Sequence, residues 1–387
     1  MKKKKNKNKN NEKKENDDEI KLLINEIKKE NNISIENFNK LRILSIKGFG
    51  KYSNEIQFLI LNVFYQMSKK INLFSNHISK NLKNKKIPKN NGETELTIVE
   101  RDLPRCIYYQ YKKYDTKLTI DFKIFKQYLT DFLLEENHKE IYSYYQGFLD
   151  LSIYIYLINK TNSEKDFKNN LLIFTELYLK DFITPSISND SDDVFNNCVK
   201  LSAEIINLID KNIGKFFYED KVPLTLFISW AITTFSHDIY NFNIFQRVFE
   251  FILLYEPICF FFITAFIIVN HLKKYSEEEI LEDGIIFKLK EIELNNLNID
   301  DFNKIIKQTF DFIKKNIKKI NYIQEKFKNQ LPLICDANYQ GSKSLVYIAN
   351  NVKLKDRFKK GKIKLFNIIL LGIIVFIIAY FIAFYHI

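Results

Sequence analysis

Glycine, proline and paired cysteines are scarce in this sequence. Its 387 residues contain nine Gly and six Pro, and so few turn-forming residues disfavour sandwiches of short strands and glycine-rich repeats. The four cysteines, Cys106, Cys198, Cys259 and Cys335, form no Cys-x-x-Cys pair and follow no recognisable signal peptide. We therefore expect reduced thiols that pack as small apolar side chains in a cytosolic domain.

Sequence patterns of several common enzyme classes are also missing. There is no G-x-x-x-x-G-K-[ST] P-loop, no H-E-x-x-H metal motif, no G-x-S-x-G elbow, and no pair of histidines at metal-ligand spacing. The run Ser236-His237-Asp238 contains the residue types of a catalytic triad. Adjacent side chains on a helix point in different directions, so we interpret this run as a surface or packing feature.

The positive charge is concentrated near the two ends of the chain. Residues 1–18 carry a net charge of +4 and residues 353–364 a net +6, which leaves +2 of the formal +12 for residues 19–352. A body so close to neutral lacks the broad basic face that binding to a phosphate backbone needs. We expect no nucleic-acid partner.

The hydrophobic pattern predicts an all-α fold. Residues 1–18 are rich in Lys and Asn and predict a disordered, solvated tail, followed by an amphipathic helical extension over 19–41 and a polar loop at roughly 80–92. From Asp301 onward apolar residues recur at helical spacing, and Asp300 and Asp301 stand where an N-cap belongs. The apolar run from Ile258 to Val269 is too short to cross a bilayer and predicts a buried core helix.

The last 23 residues, 365–387, form the longest apolar run. As a helix this run would be about 35 Å long, which suits a hydrocarbon core of roughly 30 Å. The preceding segment, 319–364, ends in the lysine-rich stretch and predicts a basic juxtamembrane linker that stays cytosolic. We therefore expect a single transmembrane tail anchor. The alternative is a fully buried C-terminal helix of a soluble protein.

Two short motifs remain as candidates for chemistry. The first runs from Val99 to Arg105 (VERDLPR), in which Asp102 would cap a helix whose first turn holds Pro104 and Arg105. The second is YYQG, residues 144–147, in which Gly147 lets a partner's backbone approach or permits an unusual dihedral angle. Taken singly, the motifs are also typical of an ordinary capped helix with an exposed Arg and of a hydrogen-bonded core Gln.

Together, 41 residues apart, the motifs resemble the catalytic fingers of the TBC-domain family of Rab GTPase-activating proteins. YLKDFITPSISN (178–189), TLFISWAITTFSHDI (225–239) and RVFEFILLYEP (247–257) are similar to a membrane-anchored subfamily that acts at the endoplasmic reticulum. The resemblance covers residues 42–318. The sequence departs from the family pattern at positions Gln57, Leu61, Cys106 and the Phe249-Glu250 pair, where the family usually has Arg, Trp, Thr or Ser, and Trp-Asp.

The resemblance implies a multi-helix TBC domain with a catalytic arginine finger, Arg105, and a catalytic glutamine finger, Gln146. Asp102, Tyr144 and Gly147 would support these two side chains. The implied partner is a Rab-family GTPase in its GTP form, which binds the nucleotide and Mg²⁺ itself, so no cofactor is expected in this chain. The implied location is the membrane of the endoplasmic reticulum or early Golgi. The alternatives are a non-catalytic Rab-binding scaffold on the membrane and a helical tether unrelated to Rabs.

Overall fold

A computed structural model describes residues 2–30, 33–70, 95–106, 121–134, 144–159, 163–183, 191–219, 229–230, 233–255, 257–331 and 334–335. Within these ranges the chain forms helices and turns and no strand, which confirms the all-α prediction for this part of the protein. The α-helices are α1 Lys2–Glu30, α2 Ile35–Lys47, α3 Ser53–Lys70, α4 Glu95–Asp102, α5 Phe122–Leu134, α6 Gln146–Ile158, α7 Glu164–Phe174, α8 Lys180–Ile183, α9 Ser191–Ile209, α10 Lys211–Glu219, α11 Phe242–Leu254, α12 Cys259–Leu272, α13 Glu277–Asp283, α14 Ile285–Lys290 and α15 Ile299–Phe327.

Shorter helical turns connect several of these helices. Three 3₁₀ turns span Gly50–Tyr52, Leu103–Arg105 and Leu294–Asn296, and a π-helical turn, Thr175–Leu179, joins α7 to α8.

The N-terminal region differs from its prediction. Residues 2–18, for which the sequence predicts a disordered tail, form the first part of α1. Further along α1 the apolar face, Ile20, Leu23, Ile24 and Ile27, is buried, and α1 packs against α2 and α3. Once this packed part of the helix forms, extension toward the N-terminus avoids the unfavourable nucleation step, and the eight Lys of residues 2–18 favour it more than the five Asn do.

Three of the expected domain boundaries fall inside helices. The boundary at 18/19 lies in α1, the one at 41/42 in α2, and the one at 318/319 in α15. The predicted helical extension and the first residues of the predicted linker therefore continue the helices of the body.

The most apolar helix of the described residues lies in the core, as predicted for residues 258–269. Nearly every residue of α12 is buried, and the helix packs against α9, α14 and α15. The rings of Phe262 and Phe266 contact Phe312 of α15, with ring centroids 6.0 and 5.6 Å apart. The four cysteines are buried as free thiols, and burial raises the pKa of the Cys198 thiol.

Helix α15 confirms the helical period predicted from Asp301, but its cap lies further upstream. The side chain of Asn298 accepts hydrogen bonds from the backbone N–H groups of Asp300 and Asp301, at 2.8 and 3.1 Å, and the Asp301 carboxylate bonds back to Asn298. This reciprocal capping box places both acidic residues in the first turn, where the helix dipole favours them.

None of the helices in the described ranges combines the length and the apolar composition needed to cross a bilayer. The predicted membrane span at 365–387 and the predicted loop at 80–92 lie outside the described residues, as does the linker from residue 336 onward.

Candidate functional site

Arg105 lies at the end of a short 3₁₀ turn that directly follows α4. Pro104 stands inside this turn, where its fixed φ fits and its missing N–H is not needed. The backbone N–H of Cys106 closes the turn with bonds to the carbonyls of Asp102 and Leu103, at 3.2 and 3.3 Å. The Arg105 side chain is 65% exposed, with Nη1 4.0 Å from Oδ1 of Asp102. Its guanidinium is therefore carried on a short, ordered element that faces solvent.

Asp102 stands at the N-cap position of this turn, as the sequence predicts, but its side chain does not act as the cap. It is the last residue of α4, and its side chain makes no capping hydrogen bond to the turn that follows. The carboxylate is only 8% exposed, and Oδ2 accepts a hydrogen bond of 3.1 Å from the hydroxyl of Tyr144. Burial and the Asp102 charge raise the pKa of the Tyr144 phenol, which keeps it protonated as a donor. The two sequence motifs therefore meet through Asp102 and Tyr144.

Gln146 is the first residue of α6. The preceding residue, Tyr145, is extended, with φ −131° and ψ 153°, and the helix begins immediately after it. The carboxamide of Gln146 lies outside the described part of the structure. Its backbone is two residues from Tyr144, and this bonded tyrosine brings the start of α6 beside the end of α4.

Gly147 is required by a close approach of two segments and not by an unusual dihedral angle. A Cβ added at Gly147 would stand 2.3 Å from Cγ2 of Thr233 and 3.1 Å from Cε2 of Tyr145. Gly147 has no left-handed φ. The unusual dihedral angle predicted for this glycine is therefore wrong, and the approach of a partner's backbone stays a prediction, because the close contact here is with a side chain of the same chain.

The segment that approaches Gly147 is a strained turn, residues 233–238. Thr234 and Phe235 have positive φ values of 51° and 67°, which costs a non-glycine residue on the order of 1–2 kcal/mol. The turn is held by a 2.7 Å hydrogen bond from the Phe235 N–H to the Trp230 carbonyl. The Phe235 ring is fully buried and lies 6.3 Å from the ring of Trp230. Burial of this ring holds the turn in its unusual conformation.

The same turn reaches α6 a second time through His237. Its Nδ1 lies 2.9 Å from Oδ2 of Asp150, whose side chain is 2% exposed. The hydrogen bond to Asp150 raises the pKa of His237, and burial raises the pKa of Asp238 to about 6. Sequence reasoning did not single out Asp150. The available signal was its position one helical turn after Gln146, on the same face of α6.

Glu250 lies in a buried ion pair with Arg247. It is one of the positions at which the sequence departs from the family pattern. Nη1 of Arg247 is 3.5 Å from Oε2 of Glu250, and the N–H of Phe49 donates to the same oxygen at 3.2 Å. Arg247 also donates to the Ile46 carbonyl and to Oδ1 of Asn303, each at 2.7 Å. Burial raises the pKa of Glu250 to about 7 and lowers the pKa of Arg247. This pair connects α11 with the segment between α2 and α3.

Gln57, a second departure from the family pattern, is fully buried and hydrogen-bonded. The hydroxyl of Tyr154 in α6 donates to Oε1 of Gln57 at 2.6 Å, and Nε2 of Gln57 donates to Oγ of Ser53 at 2.8 Å. A neutral amide at this position therefore joins α3 to the helix that begins at Gln146. Across the part of the chain that the structure describes, no group of three or more His, Cys, Asp or Glu side chains could hold a metal ion.

Comparisons with known proteins give a partial similarity. No family model matches the chain. TBC1 domain family member 20 from Bos taurus and from Homo sapiens are each 23% identical to it over 150 residues, which is 39% of this chain and 34% of each relative. The chain thus matches about a third of the length of these relatives. Over that part, it is similar to proteins named for a TBC1 domain.

Proposed function

We propose that this chain is a GTPase-activating protein for a Rab-family small GTPase. One observation carries the proposal: the Tyr144 hydroxyl bonds to Asp102, so the segments that hold Arg105 and Gln146 lie side by side although they are far apart in sequence. The partial similarity to TBC1 domain family member 20 supports the same activity.

Arg105 would act as the arginine finger in trans. A bound GTPase hydrolyses GTP slowly when too little positive charge stands near the transferring phosphoryl group, and an inserted Arg contributes about 10³–10⁵ in rate. Its planar, permanently charged guanidinium suits oxygens that gain charge in the transition state. The exposed position of Arg105 at the end of a short turn suits this role, because the side chain is accessible to a partner.

Gln146 would orient the attacking water. Its backbone stands at the first position of a packed helix, α6. Asp102 and Tyr144 would fix the spacing between the two fingers, and Gly147 would let α6 pack against the 233–238 turn. GTP and Mg²⁺ would be bound by the GTPase.

The proposal includes attachment to the membrane of the endoplasmic reticulum or early Golgi through residues 365–387. The apolar run and the basic residues before it support this placement. Confinement of the protein and a lipid-anchored GTPase to one membrane would raise their encounter frequency without new contacts.

The test is single-turnover release of phosphate from a panel of GTP-loaded Rab proteins, with and without the purified full-length chain in detergent. We expect at least one Rab to hydrolyse GTP at least about a hundredfold faster when the chain is added. Binding of a GTP-loaded Rab without acceleration would instead favour the non-catalytic scaffold. If the chain neither binds nor accelerates any Rab in the panel, the proposal is wrong.

A further inference from the structure

A second polar contact lies one helical turn beyond Gln146. Asp150 follows Gln146 by four residues in α6, so the two positions share one face of the helix. The Asp150 carboxylate is nearly inaccessible to solvent, and its Oδ2 lies 2.9 Å from Nδ1 of His237. The imidazole is 37% exposed, so one ring edge is fixed on α6 while solvent reaches the rest.

The charged groups around this pair come from three segments. Asp150 and Asp238 both act electrostatically on His237 and favour its protonated form, against the opposing effect of partial burial. The charges of Asp102 and Asp150 both add to the effect of burial and raise the pKa of Tyr144. Its phenol therefore links the Asp102 side of the site to the Asp150 side.

The 233–238 turn thus holds the start of α6 at two points. Thr233 packs so closely on Gly147 that no Cβ fits between them, and His237 bonds to Asp150 three residues further along the helix. The left-handed residues Thr234 and Phe235 set the direction of the chain between these two points. A turn anchored at both ends fixes the position and tilt of the helical turn that begins with Gln146.

We propose that Asp150 and His237 form a positioning pair that sets the placement of Gln146 for GTP hydrolysis. This inference rests on the function proposed above and deepens it. Neither side chain is assigned contact with the nucleotide. Both act through the backbone of α6, so their loss should lower the rate of the hydrolysis step and leave the docking of the GTPase unaffected.

The protonation of His237 gives the pair a pH dependence of known sign. Asp150 raises the pKa of His237 above its ordinary value of 6.5. The charge-assisted bond is therefore complete below that ordinary value, and its extra strength is lost as the pH rises through the raised pKa. A neutral imidazole still donates from Nδ1, so the bond weakens on the alkaline side without breaking.

The experiment compares His237→Gln with the wild-type full-length chain. Gln keeps a neutral donor and removes the titration. Stimulated hydrolysis is measured from pH 6 to 8.5 on a Rab that the wild-type protein accelerates, with kcat and KM for the Rab determined separately. We expect kcat to fall about tenfold, as for a small misplacement of a reacting group, with KM unchanged. We also expect kcat of the wild-type protein to decline toward alkaline pH, and this decline should be absent in His237→Gln.

His271→Gln is the matched control. His271 is also partly buried, and its Nε2 lies 2.8 Å from the backbone oxygen of Lys288. It belongs to α12, however, and lies at the contact of α12 with α14. The His271→Gln variant should leave kcat, KM and the pH profile unchanged. Asp150→Asn is the second variant, because it keeps the shape of the side chain and removes its charge. It should show the same loss of kcat, and it provides the test if His237→Gln does not fold.

The outcomes separate this inference from the function on which it rests. If the wild-type protein accelerates a Rab while both variants keep its kcat and pH profile, the positioning pair is wrong and the activity remains. A rise in KM at unchanged kcat would also overturn the inference, because it would make His237 a docking residue. If the wild-type protein accelerates no Rab, the proposed function fails, and the inference fails with it.

Discussion

The hydroxyl of Tyr144 donates a hydrogen bond to Oδ2 of Asp102, 3.1 Å away, across 42 residues of sequence. Asp102 ends the helix before the turn that carries Arg105, and Tyr144 precedes the helix that begins with Gln146. This contact is the direct link between the two candidate fingers. The Asp102 carboxylate that accepts this bond is buried, so water does not satisfy it and the protein must provide its hydrogen-bond donors.

Replacement of this tyrosine by Phe tests the link. Tyr144→Phe keeps the ring and deletes the donor, which leaves the buried Asp102 carboxylate with one hydrogen bond fewer. We expect a loss of about 1–3 kcal/mol in the free energy of unfolding, measured by urea titration, and a lower stimulated kcat. Tyr240→Phe, at an exposed position, is the control and should change neither quantity.

Arg105→Ala tests the proposed arginine finger. Stimulated hydrolysis should fall by at least about a hundredfold, because the transition state loses a positive charge that water replaces poorly. Arg105→Lys should also be strongly impaired, since an ammonium lacks the planar fork. Single-turnover phosphate release measures both effects.

Arg101 offers a matched control for this experiment. It is also exposed, and its Nε lies 3.9 Å from the same Asp102 carboxylate, but it belongs to α4. Arg101→Ala should retain most of the stimulated rate. Equal losses in Arg101→Ala and Arg105→Ala would show that general positive charge matters and that no finger is present.

Gln146→Ala tests the second finger. The variant should lower kcat for stimulated hydrolysis while a GTP-loaded Rab still binds, because the water loses its orienting group and the docking surface is retained. Binding is measured by fluorescence anisotropy and hydrolysis by phosphate release. Gln127→Ala, on an exposed position of α5, is the control. If Gln146→Ala keeps full activity, the GTPase's own residues orient the attacking water and Gln146 is not a finger.

The helical periods in the sequence predicted much of the fold. The apolar run at 258–269 predicted the buried helix α12, and the spacing after Asp301 predicted α15. The spacing of apolar residues depends only on the local sequence of one helix, so such a helix can be predicted without knowing which distant residues it contacts. The same local reasoning missed the cap at Asn298, because Asp300 and Asp301 are equally good capping residues.

The contacts of the site depend on distant partners and could not be predicted in this way. Nothing near Asp102 in the sequence identifies Tyr144 as its donor, and His237 lies 87 residues from Asp150. The left-handed turn at Thr234 and Phe235 contains no Gly or Asn to signal it. Tertiary packing of a buried aromatic ring determines that conformation, and a local pattern does not record it.

Gly147→Ala tests the close approach between α6 and the 233–238 turn. The new methyl group would meet Cγ2 of Thr233 at 2.3 Å, and overpacking of this kind costs about 1–3 kcal/mol. The added Thr233→Ser substitution removes the methyl group and keeps the hydroxyl that donates to the Ser229 carbonyl at 2.7 Å. We expect the double variant to regain most of the lost stability in urea unfolding. Additive losses in this double-mutant cycle would contradict the close contact.

Arg247→Met tests the buried ion pair with Glu250. The substitution leaves the Glu250 carboxylate without its cation in a site where burial already raises its pKa to about 7. Loss of one partner of a buried pair costs about 3–5 kcal/mol. Because burial raises the pKa of Glu250 from its ordinary 4.5 to about 7, the folded state holds the proton over this range, so stability at this site falls as the pH rises from 4.5 to about 7 and is constant above that. Without the arginine that pKa should rise further, so the loss should be larger at pH 8 than at pH 6.

Urea unfolding of the full-length chain at these two pH values measures the loss. The double variant Arg247→Met/Glu250→Leu should recover part of it, because no buried charge remains unpaired. Lys40→Met removes an exposed pair with Glu36 in α2 and serves as the control, with little change expected at either pH. A loss for Arg247→Met that is the same at pH 6 and pH 8 would mean that Glu250 does not titrate in this range, and that the cost comes from the hydrogen bonds of Arg247 to Ile46 and Asn303.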